Sequence, residues 1–310
     1  MRAVFFGTPE IAVPALVALN EIATVAAVVC QPDKPAGRGL ELKPPAVKQK
    51  ALELGLTVEQ PTKVRTPEFA AWLRGLEADI ALVIAYGRIL PKGVLDAPRR
   101  GCMNLHASIL PKYRGAAPIT WAVVDGEAKT GVSLMQMDEG MDTGPVFTIR
   151  EVPIGENTTA GELAVALGAC AAEVVRLDLP RAVGGELTAT PQPDGATHAR
   201  MLSKEDGLVD FTRTAKQVHD HARGMSPWPG AFTTAGGKTL KVLETRLASG
   251  SAEAAPGTVV VAKQDRIEVA CGDGRIAILR AQLEGKKPLA ARELVGGRAL
   301  AEGMVLGASA

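Results

Sequence analysis

Short apolar runs separated by stretches with helical spacing dominate the first part of the chain. Apolar runs of this length are typical of strands buried on both faces of a parallel sheet. Pro9 and Pro14 bracket the opening of Ile11–Leu19, which predicts a helix after the first strand. The alternation predicts an α/β domain with a Rossmann-like, mostly parallel sheet and helices on both faces. The predicted strands are 1–7, 22–29, 79–85, 102–105, 130–137 and 145–152, and a long helix is predicted over 160–177.

The pattern changes near Glu186. Pro191, Pro193 and Gly195 fall in a stretch with little periodicity, which predicts a linker over 188–203. Short alternating runs follow, and the glycines at 272 and 274 mark a hairpin between the last two of them. We therefore expect an α/β domain at 1–187 and a small, OB-like β-barrel domain at 204–310. The later predicted strands are 238–247, 257–262, 266–270 and 275–279, with a helix at 214–224.

The balance of charge narrows the function classes. Lys and Arg total 35 against 34 acidic residues, a formal charge of +1, which disfavours a wholesale basic nucleic-acid binder but permits a local basic patch. Aromatic residues make up 4% of the chain, which is few for a platform that stacks single-stranded bases. The part of the chain from Lys204 onward holds 15 basic and 12 acidic residues, a slight excess that permits RNA binding without establishing it.

Cysteine usage and the terminal sequence bear on the compartment. The cysteines at 30, 102, 170 and 271 are too widely spaced for CxxC metal knuckles or a disulfide framework, so a reducing compartment is expected. The opening MRAVFFGTPE has no signal-peptide or transit-peptide pattern. Apolar stretches such as 163–172 fall short of the ~20 residues of a membrane helix. We expect a cytoplasmic protein with no membrane partner.

His106 stands alone among the first 190 positions and follows Asn104 by two residues. Side chains two apart in a strand share a face, and the carboxyl ends of strands in an open α/β sheet are where ligands bind. An amide donor beside an imidazole suits a reaction that develops negative charge on a carbonyl oxygen. A structural histidine that caps the strand end is the alternative, and spacing alone does not exclude it.

Asp138 and Asp142 lie in the Gly-rich stretch Met135–Pro145 that follows another predicted strand. A carboxylate carried there could hold His106 in one tautomer and stabilise its protonated form. Aspartates that form turns or cap helices are the alternative for both residues.

Together these segments resemble the 10-formyltetrahydrofolate-dependent formyltransferases, and within that family the members that act on an aminoacylated tRNA. The family pattern Asn-x-His-x-Ser-x-Leu-Pro appears at 104–111, and its aspartate loop appears as Met-Asp-Thr-Gly with Asp142. The chain departs from the usual pattern at Ile11, Ala107 and Ile109, which alter packing beside the site rather than its polar groups. The resemblance extends over 5–10, 31–39, 113–119, 135–140, 203–206 and 223–231, so it covers most of the chain.

The resemblance implies an enzyme whose co-substrate is 10-formyltetrahydrofolate and whose acceptor is initiator methionyl-tRNA. The methionine amino group would attack the formyl carbon, and Asn104 and His106 would stabilise the oxygen of the tetrahedral intermediate. Asp142 would support the charged imidazole and assist proton transfer, directly or through water. No metal and no covalent enzyme intermediate are expected, since no Cys or Ser has an evident base partner.

The resemblance also implies two substrate-binding surfaces. The folate wall would consist of Ser108, Ile109, Leu110 and Pro111, with Tyr86, Gly87 and Ile89 as a second candidate wall; an ordinary loop closed by proline is the alternative. The long loop after the second strand would contact tRNA through Arg38, together with Lys34 and Lys43, rather than being only a solvated charged loop. Weaker candidates for tRNA contact lie in the C-terminal part, and ordinary surface charges are an equally good interpretation of them: Lys204, Arg213, Arg223, Lys286 and Lys287.

Other readings of the sequence stay open at this point. The rival enzymes are a nucleotide-sugar N-formyltransferase and the single-domain glycinamide ribonucleotide enzyme, and the rival class is a non-catalytic tRNA-binding protein. His219 and His221 are expected on the surface or in packing, and Trp228 is expected to anchor the C-terminal module. No DNA partner is expected, and nothing in the sequence requires an oligomer, so a monomer is expected.

Overall fold

The computed structural model describes residues 1–36 and 41–307, and these residues form two compact units. The first unit comprises 1–118, 129–153 and 164–199, and the second comprises 119–128, 154–163 and the chain from Arg200 onward. Each unit is therefore assembled from separate segments of sequence. Most of the stretch predicted as a linker, 188–199, belongs to the first unit because it pairs with residues there, as in the bridge between Val146 and Thr190.

The elements occur largely where the hydrophobic pattern places them. The helix predicted at 11–19 begins with a 3-10 turn over Glu10–Ala12 and continues as α1 to Ile22. The helix predicted over 160–177 has those bounds in the structure. The helices are α1 (Val13–Ile22), α2 (Ala46–Glu53), α3 (Pro67–Gly75), α4 (Lys92–Leu95), α5 (Pro118–Val124), α6 (Ala160–Leu177), α7 (Leu179–Gly184), α8 (Ala215–Gly224) and α9 (Ala291–Gly296).

The strands of the first unit include the core runs identified by their apolar sequence. Their residues are almost entirely buried in the central strands, as expected for a sheet covered on its faces. The strands are β1 (Arg2–Gly7), β2 (Thr24–Val29), β3 (Lys34–Ala36), β4 (Glu41–Lys43), β5 (Val58–Glu59), β6 (Ile80–Ile84), β7 (Cys102–His106), β8 (Arg114–Gly115), β9 (Lys129–Gln136), β10 (Val146–Pro153) and β11 (His198–Ala199).

The central sheet of the first unit has the strand order β10-β9-β7-β6-β1-β2-β5. The pairs from β7 through β5 are parallel, whereas β9 is antiparallel to both β7 and β10. The predicted mostly parallel, Rossmann-like sheet is thus confirmed. Parallel strands β1, β2, β6 and β7 end at one edge, where an open α/β sheet binds ligands.

The second unit is built around an antiparallel sheet. Its strands are β12 (Ala231–Ala235), β13 (Lys238–Ala248), β14 (Val259–Lys263), β15 (Arg266–Ala270), β16 (Arg275–Leu283) and β17 (Leu289–Ala290), in the order β12-β13-β16-β15-β14 with β17 on β16. The hairpin predicted at 272–274 joins β15 and β16. The antiparallel β-rich character predicted for this part is confirmed. Alternate residues of β12 and β15 pack with Val218 of α8 into one apolar core.

Two expectations about the second unit meet different outcomes. His219 is buried, and its Nδ1 and Nε2 lie 2.8 and 3.0 Å from the Thr245 hydroxyl and the Glu156 carbonyl, so it is a packing residue. Trp228 was expected to be a buried anchor, but it is 54% exposed. It lies in a turn over residues 225–229. Among the described residues, no helix is long and apolar enough to cross a membrane.

Candidate active site

The strand β7 supplies an amide and an imidazole to one face of the sheet. Asn104 and His106 are two residues apart in the strand, and both are buried. His106 is the last residue of β7 and lies opposite Ser133 of β9. The two side chains therefore sit at the ligand-binding edge, as their spacing predicts.

Asp142 reaches this pair by a path that the strand order alone does not suggest. Because β9 is antiparallel to β7 and ends with Gln136 beside Met103, the loop 137–145 leaves from the amino end of β7. The loop then folds back, and Asp142 adopts a left-handed backbone with φ of 53°. Its Oδ1 lies 3.4 Å from Asn104 Nδ2, and its Oδ2 lies 3.6 Å from His106 Nδ1.

The hydrogen bonds around His106 determine where its protons are. Nε2 lies 2.8 Å from the Tyr113 carbonyl oxygen, which can only accept, so Nε2 carries a proton. Nδ1 then has a proton to donate toward Asp142 only when the ring is an imidazolium. The backbone N–H of Gly115 donates to Asp142 Oδ2 at 2.9 Å, which helps hold the carboxylate in place.

The other aspartate of the same loop forms a turn. Asp138 Oδ1 accepts from the Gly140 N–H at 3.0 Å and from the Thr143 hydroxyl at 2.7 Å. The alternative of a turn-forming aspartate therefore describes Asp138, while Asp142 joins the histidine.

The predicted folate wall after β7 is divided between buried and accessible residues. Ser108 is fully buried, its hydroxyl donates to the Lys112 carbonyl at 2.6 Å, and its own carbonyl accepts from Ser133. Leu110 is also buried, and its N–H donates to the Ser133 hydroxyl. The side chains of Ser108 and Leu110 thus support this loop from within, while Ile109 and Pro111 are partly exposed.

The second predicted wall is a bent segment after β6. Ala85 and Gly87 have φ of 48° and 83°, so the chain turns sharply at the end of the strand. Tyr86 is buried and its carbonyl accepts from the Thr8 hydroxyl, whereas Ile89 is 56% exposed. Of this predicted wall, Ile89 therefore presents an exposed apolar side chain, while the Tyr86 side chain is turned into the core.

The candidate tRNA loop begins and ends in a short ribbon. Strands β3 and β4 pair with Lys34 directly opposite Lys43, and both lysines are exposed. Like charges directly opposite each other in a ribbon are unfavourable unless an anion lies between or above them. Arg38 lies outside the described residues.

One of the C-terminal tRNA candidates is not accessible. The Arg223 side chain is 5% exposed and forms an ion pair with Asp220, with NH2 2.7 Å from Oδ1. The same guanidinium donates to the carbonyls of Gly155 and Thr158. Arg223 is therefore neither an accessible tRNA contact nor an ordinary surface charge, because its guanidinium is paired and hydrogen-bonded in the interior of the second unit. Lys204, Arg213, Lys286 and Lys287 are exposed.

Two further chemical possibilities can be compared with the structure. Cys102 shares a strand with Asn104, but burial raises the pKa of its thiol to about 12, so it does not present a thiolate. In the part of the chain that the structure describes, no group of three or more His, Cys, Asp or Glu side chains is placed to hold a metal.

Three residues around the site were missed from the sequence. Gln192 lies in the segment predicted as a linker, and its amide bonds the backbone on either side of Thr143. Arg114 donates to Gln192, and Thr197 accepts from the Tyr113 N–H. The irregular sequence around Gln192 gave no sign of these contacts.

A buried amide, a histidine whose Nε2 faces a carbonyl, and a carboxylate are grouped at the edge of a mostly parallel sheet. They form a site suited to acyl-group transfer through an oxyanion. The chain belongs to the formyl transferase family: the formyl transferase model matches residues 1–175, and the model of the formyl transferase C-terminal domain matches residues 201–299.

Relatives and solved structures agree with this family. The chain is 68% identical to the methionyl-tRNA formyltransferase of Sorangium cellulosum over 99% of this chain and 100% of the relative. It is 49% identical to the methionyl-tRNA formyltransferase of Myxococcus xanthus over 97% of this chain and 96% of that relative. A crystal structure of a sugar 3N-formyl transferase, in the presence of dTDP and 5-N-formyl-THF, has the same fold with a TM-score of 0.69 at 17% identity, covering 93% of this chain and 99% of that one.

Proposed function

We propose that this protein transfers the formyl group of 10-formyltetrahydrofolate to the amino group of methionine on initiator methionyl-tRNA. The observation that carries the chemistry is the position of the Asp142 carboxylate, which lies 3.4 Å from Asn104 Nδ2 and 3.6 Å from His106 Nδ1. The acceptor is supported by full-length relatives whose names give methionyl-tRNA as substrate. Because those relatives are bacterial, we place the reaction in the bacterial cytoplasm.

In the proposed reaction, a C–N bond forms between the methionine nitrogen and the formyl carbon, and the bond from that carbon to N10 of the folate breaks. Asn104 donates its amide N–H to the oxygen that becomes negative during attack. His106, paired with Asp142, adds a second stabilising contact to the same oxygen. Pre-oriented donors of this kind stabilise the transition state more than the ground state.

Proton transfer completes the balance. The attacking amine loses one proton, and the departing N10 gains one, so the protein needs a group that can accept and return a proton. Asp142 is assigned this role, directly or through a held water, because its two oxygens face both site residues of β7. Tetrahydrofolate and formylmethionyl-tRNA are then the products.

The substrates would occupy opposite sides of the reacting atoms. We assign the folate to the edge formed by Gly87 and Ile89 together with Ile109 and Pro111, with Ser108, Leu110 and Tyr86 supporting that edge from inside. We assign the tRNA acceptor end to the loop that carries Lys34, Arg38 and Lys43, whose paired lysines favour phosphate.

An acceptor assay tests the proposal. Purified protein is incubated with 10-formyltetrahydrofolate and one of three acceptors: methionyl-initiator tRNA, the same tRNA deacylated, or an amino-sugar nucleotide. Formyl incorporation into the charged tRNA alone is the expected result. Formylation of the sugar nucleotide would favour the sugar enzyme, and absence of transfer to every acceptor would favour a tRNA-binding protein without catalysis.

A further inference from the structure

The segment 190–199 contacts the loop 137–145 that carries Asp142, here called the Asp142 loop. Gln192 Nε2 donates to the carbonyl oxygens of Asp142 and Gly144, both at 2.8 Å. One side chain thereby fixes the backbone on both sides of Thr143. The bridge between Val146 and Thr190 holds the same segment against the end of the loop, with N–O distances of 2.8 and 2.9 Å.

The Asp142 loop needs this support because its backbone is strained. Asp142 has a left-handed backbone, which residues other than glycine seldom adopt, although aspartate tolerates it better than most. The Gly115 N–H and the Asn104 amide hold the Asp142 carboxylate itself. The two Gln192 bonds hold the backbone that carries it. Without them, the loop backbone could shift and move the carboxylate away from His106.

The orientation of the Gln192 amide is determined by its other contact. Arg114 Nε and NH2 lie 3.0 and 2.7 Å from Gln192 Oε1. A guanidinium can only donate and a carbonyl can only accept, so the amide oxygen must face Arg114 and the amide nitrogen must face the loop. The Gln192 side chain therefore connects Arg114 to the Asp142 loop, and its amide has one allowed orientation.

Thr197 makes an equivalent connection to the histidine side. Its hydroxyl accepts from the Tyr113 N–H at 2.9 Å, and its carbonyl accepts from the Arg114 N–H at 2.9 Å. Tyr113 also has a left-handed backbone, with φ of 60°. The carbonyl of Tyr113 is the acceptor for His106 Nε2. The Thr197 carbonyl thus fixes the Tyr113–Arg114 peptide unit, which carries the acceptor for His106. The Thr197 hydroxyl fixes the preceding peptide unit, so the left-handed Tyr113 is held on both sides.

We propose that Gln192 and Thr197 are positioning residues for the proposed catalytic pair, Gln192 holding Asp142 and Thr197 holding the carbonyl that orients His106. The inference rests on the proposed function, because it gives these residues a purpose only if the pair performs catalysis. Both residues lie in the stretch predicted as a linker, so this stretch would help to build the site.

The test measures steady-state formyl transfer with methionyl-tRNA and 10-formyltetrahydrofolate. Gln192→Met removes the amide at similar volume and should lower kcat by about tenfold or more, with both KM values within about twofold, because misplacing a catalytic group slows chemistry rather than binding. Thr197→Val should lower kcat in the same way, and Thr197→Ser, which keeps the hydroxyl, should restore it.

The matched control is Gln136→Met in the same unit. Gln136 Nε2 also donates to two carbonyls, those of Arg100 and Cys102 at 3.3 and 3.0 Å, but neither belongs to the Asp142 loop. It should lose a similar amount of thermal stability and keep kcat within about twofold. Equal loss of kcat in both glutamine variants would overturn the inference, as would a rise in one KM at unchanged kcat.

Asp142→Asn is measured in parallel to separate the two proposals. If Asp142→Asn loses turnover and Gln192→Met keeps it, the positioning inference is wrong while the proposed site stands. If Asp142→Asn keeps full turnover, the proposed site and the inference both fail.

Discussion

His106 faces Asp142 across 3.6 Å with a ring nitrogen that carries a proton only when the imidazole is charged. The other nitrogen is committed to the Tyr113 carbonyl at 2.8 Å. The carboxylate and the charged ring therefore stabilise each other, and removal of the carboxylate's charge should act on the histidine as well as on proton transfer.

Asp142→Asn should lower kcat by about 10²–10⁴, because it removes the proton acceptor and the partner of the imidazolium. Affinity for tRNA should be unchanged, which a filter-binding measurement checks. Asp138→Asn is the matched control, since this carboxylate serves a turn in the same loop. Its kcat should stay within about threefold. Full turnover in Asp142→Asn would remove Asp142 from the mechanism.

Asn104→Ala should lower kcat by about 10²–10³, the usual cost of one donor to an oxyanion. The residue lies on β7 rather than in a mobile loop, so the fold should tolerate the change and circular dichroism should match the wild type. A kcat near the wild-type value with an intact fold would contradict the role assigned to its amide.

Arg38→Ala, and separately the pair Lys34→Ala and Lys43→Ala, should raise the KM for tRNA and leave the KM for folate unchanged. Each lost phosphate contact should reduce the slope of log affinity against log salt by about one unit. Lys129→Ala is the control, because this exposed lysine pairs with Glu151 and lies outside the loop. A raised KM for 10-formyltetrahydrofolate would show that the loop contacts the folate instead of the tRNA.

Arg223→Ala should destabilise the second unit by about 3 kcal/mol, because it leaves the buried Asp220 without its main partner. The loss lies at the lower end of the usual cost of breaking a buried ion pair, because Lys216 still pairs with Asp220. Arg213→Ala is the matched control: it also lies three residues after an aspartate, Asp210, but both partners are exposed. It should cost less than about 1 kcal/mol in urea unfolding. Equal costs would contradict the assignment of Arg223 to the interior.

Stability should fall as the pH drops below about 6.5. Burial lowers the pKa of His219, so the folded protein keeps this ring neutral at a pH where the unfolded chain already binds a proton. The unfolded state then takes up more protons and is favoured. Urea unfolding gives the free energy of unfolding at about pH 8 and at about pH 5.5. The decrease between these two values should be smaller in His219→Gln than in the wild type. The exposed His198→Gln should leave the loss unchanged.

Local patterns in the sequence were enough for the elements and for half of the site. Apolar runs predicted β1, β2, β6 and β7, and the glycines at 272 and 274 predicted the β15–β16 hairpin. Strand alternation predicted that Asn104 and His106 share a face. These features depend on neighbours a few residues apart, whose spacing is written directly in the sequence.

Tertiary structure alone decided the rest, because it depends on contacts between distant segments. The antiparallel direction of β9 makes the Asp142 loop fold back to reach β7. Gln192 meets that loop from a position 50 residues away, in a stretch whose lack of periodicity resembled a linker. The sequence around Arg223 is typical of a surface cation, but in the folded chain its guanidinium bonds the carbonyls of Gly155 and Thr158 in the interior. In each case a polar group must find a partner once it leaves water, and only the folded chain specifies which partner that is.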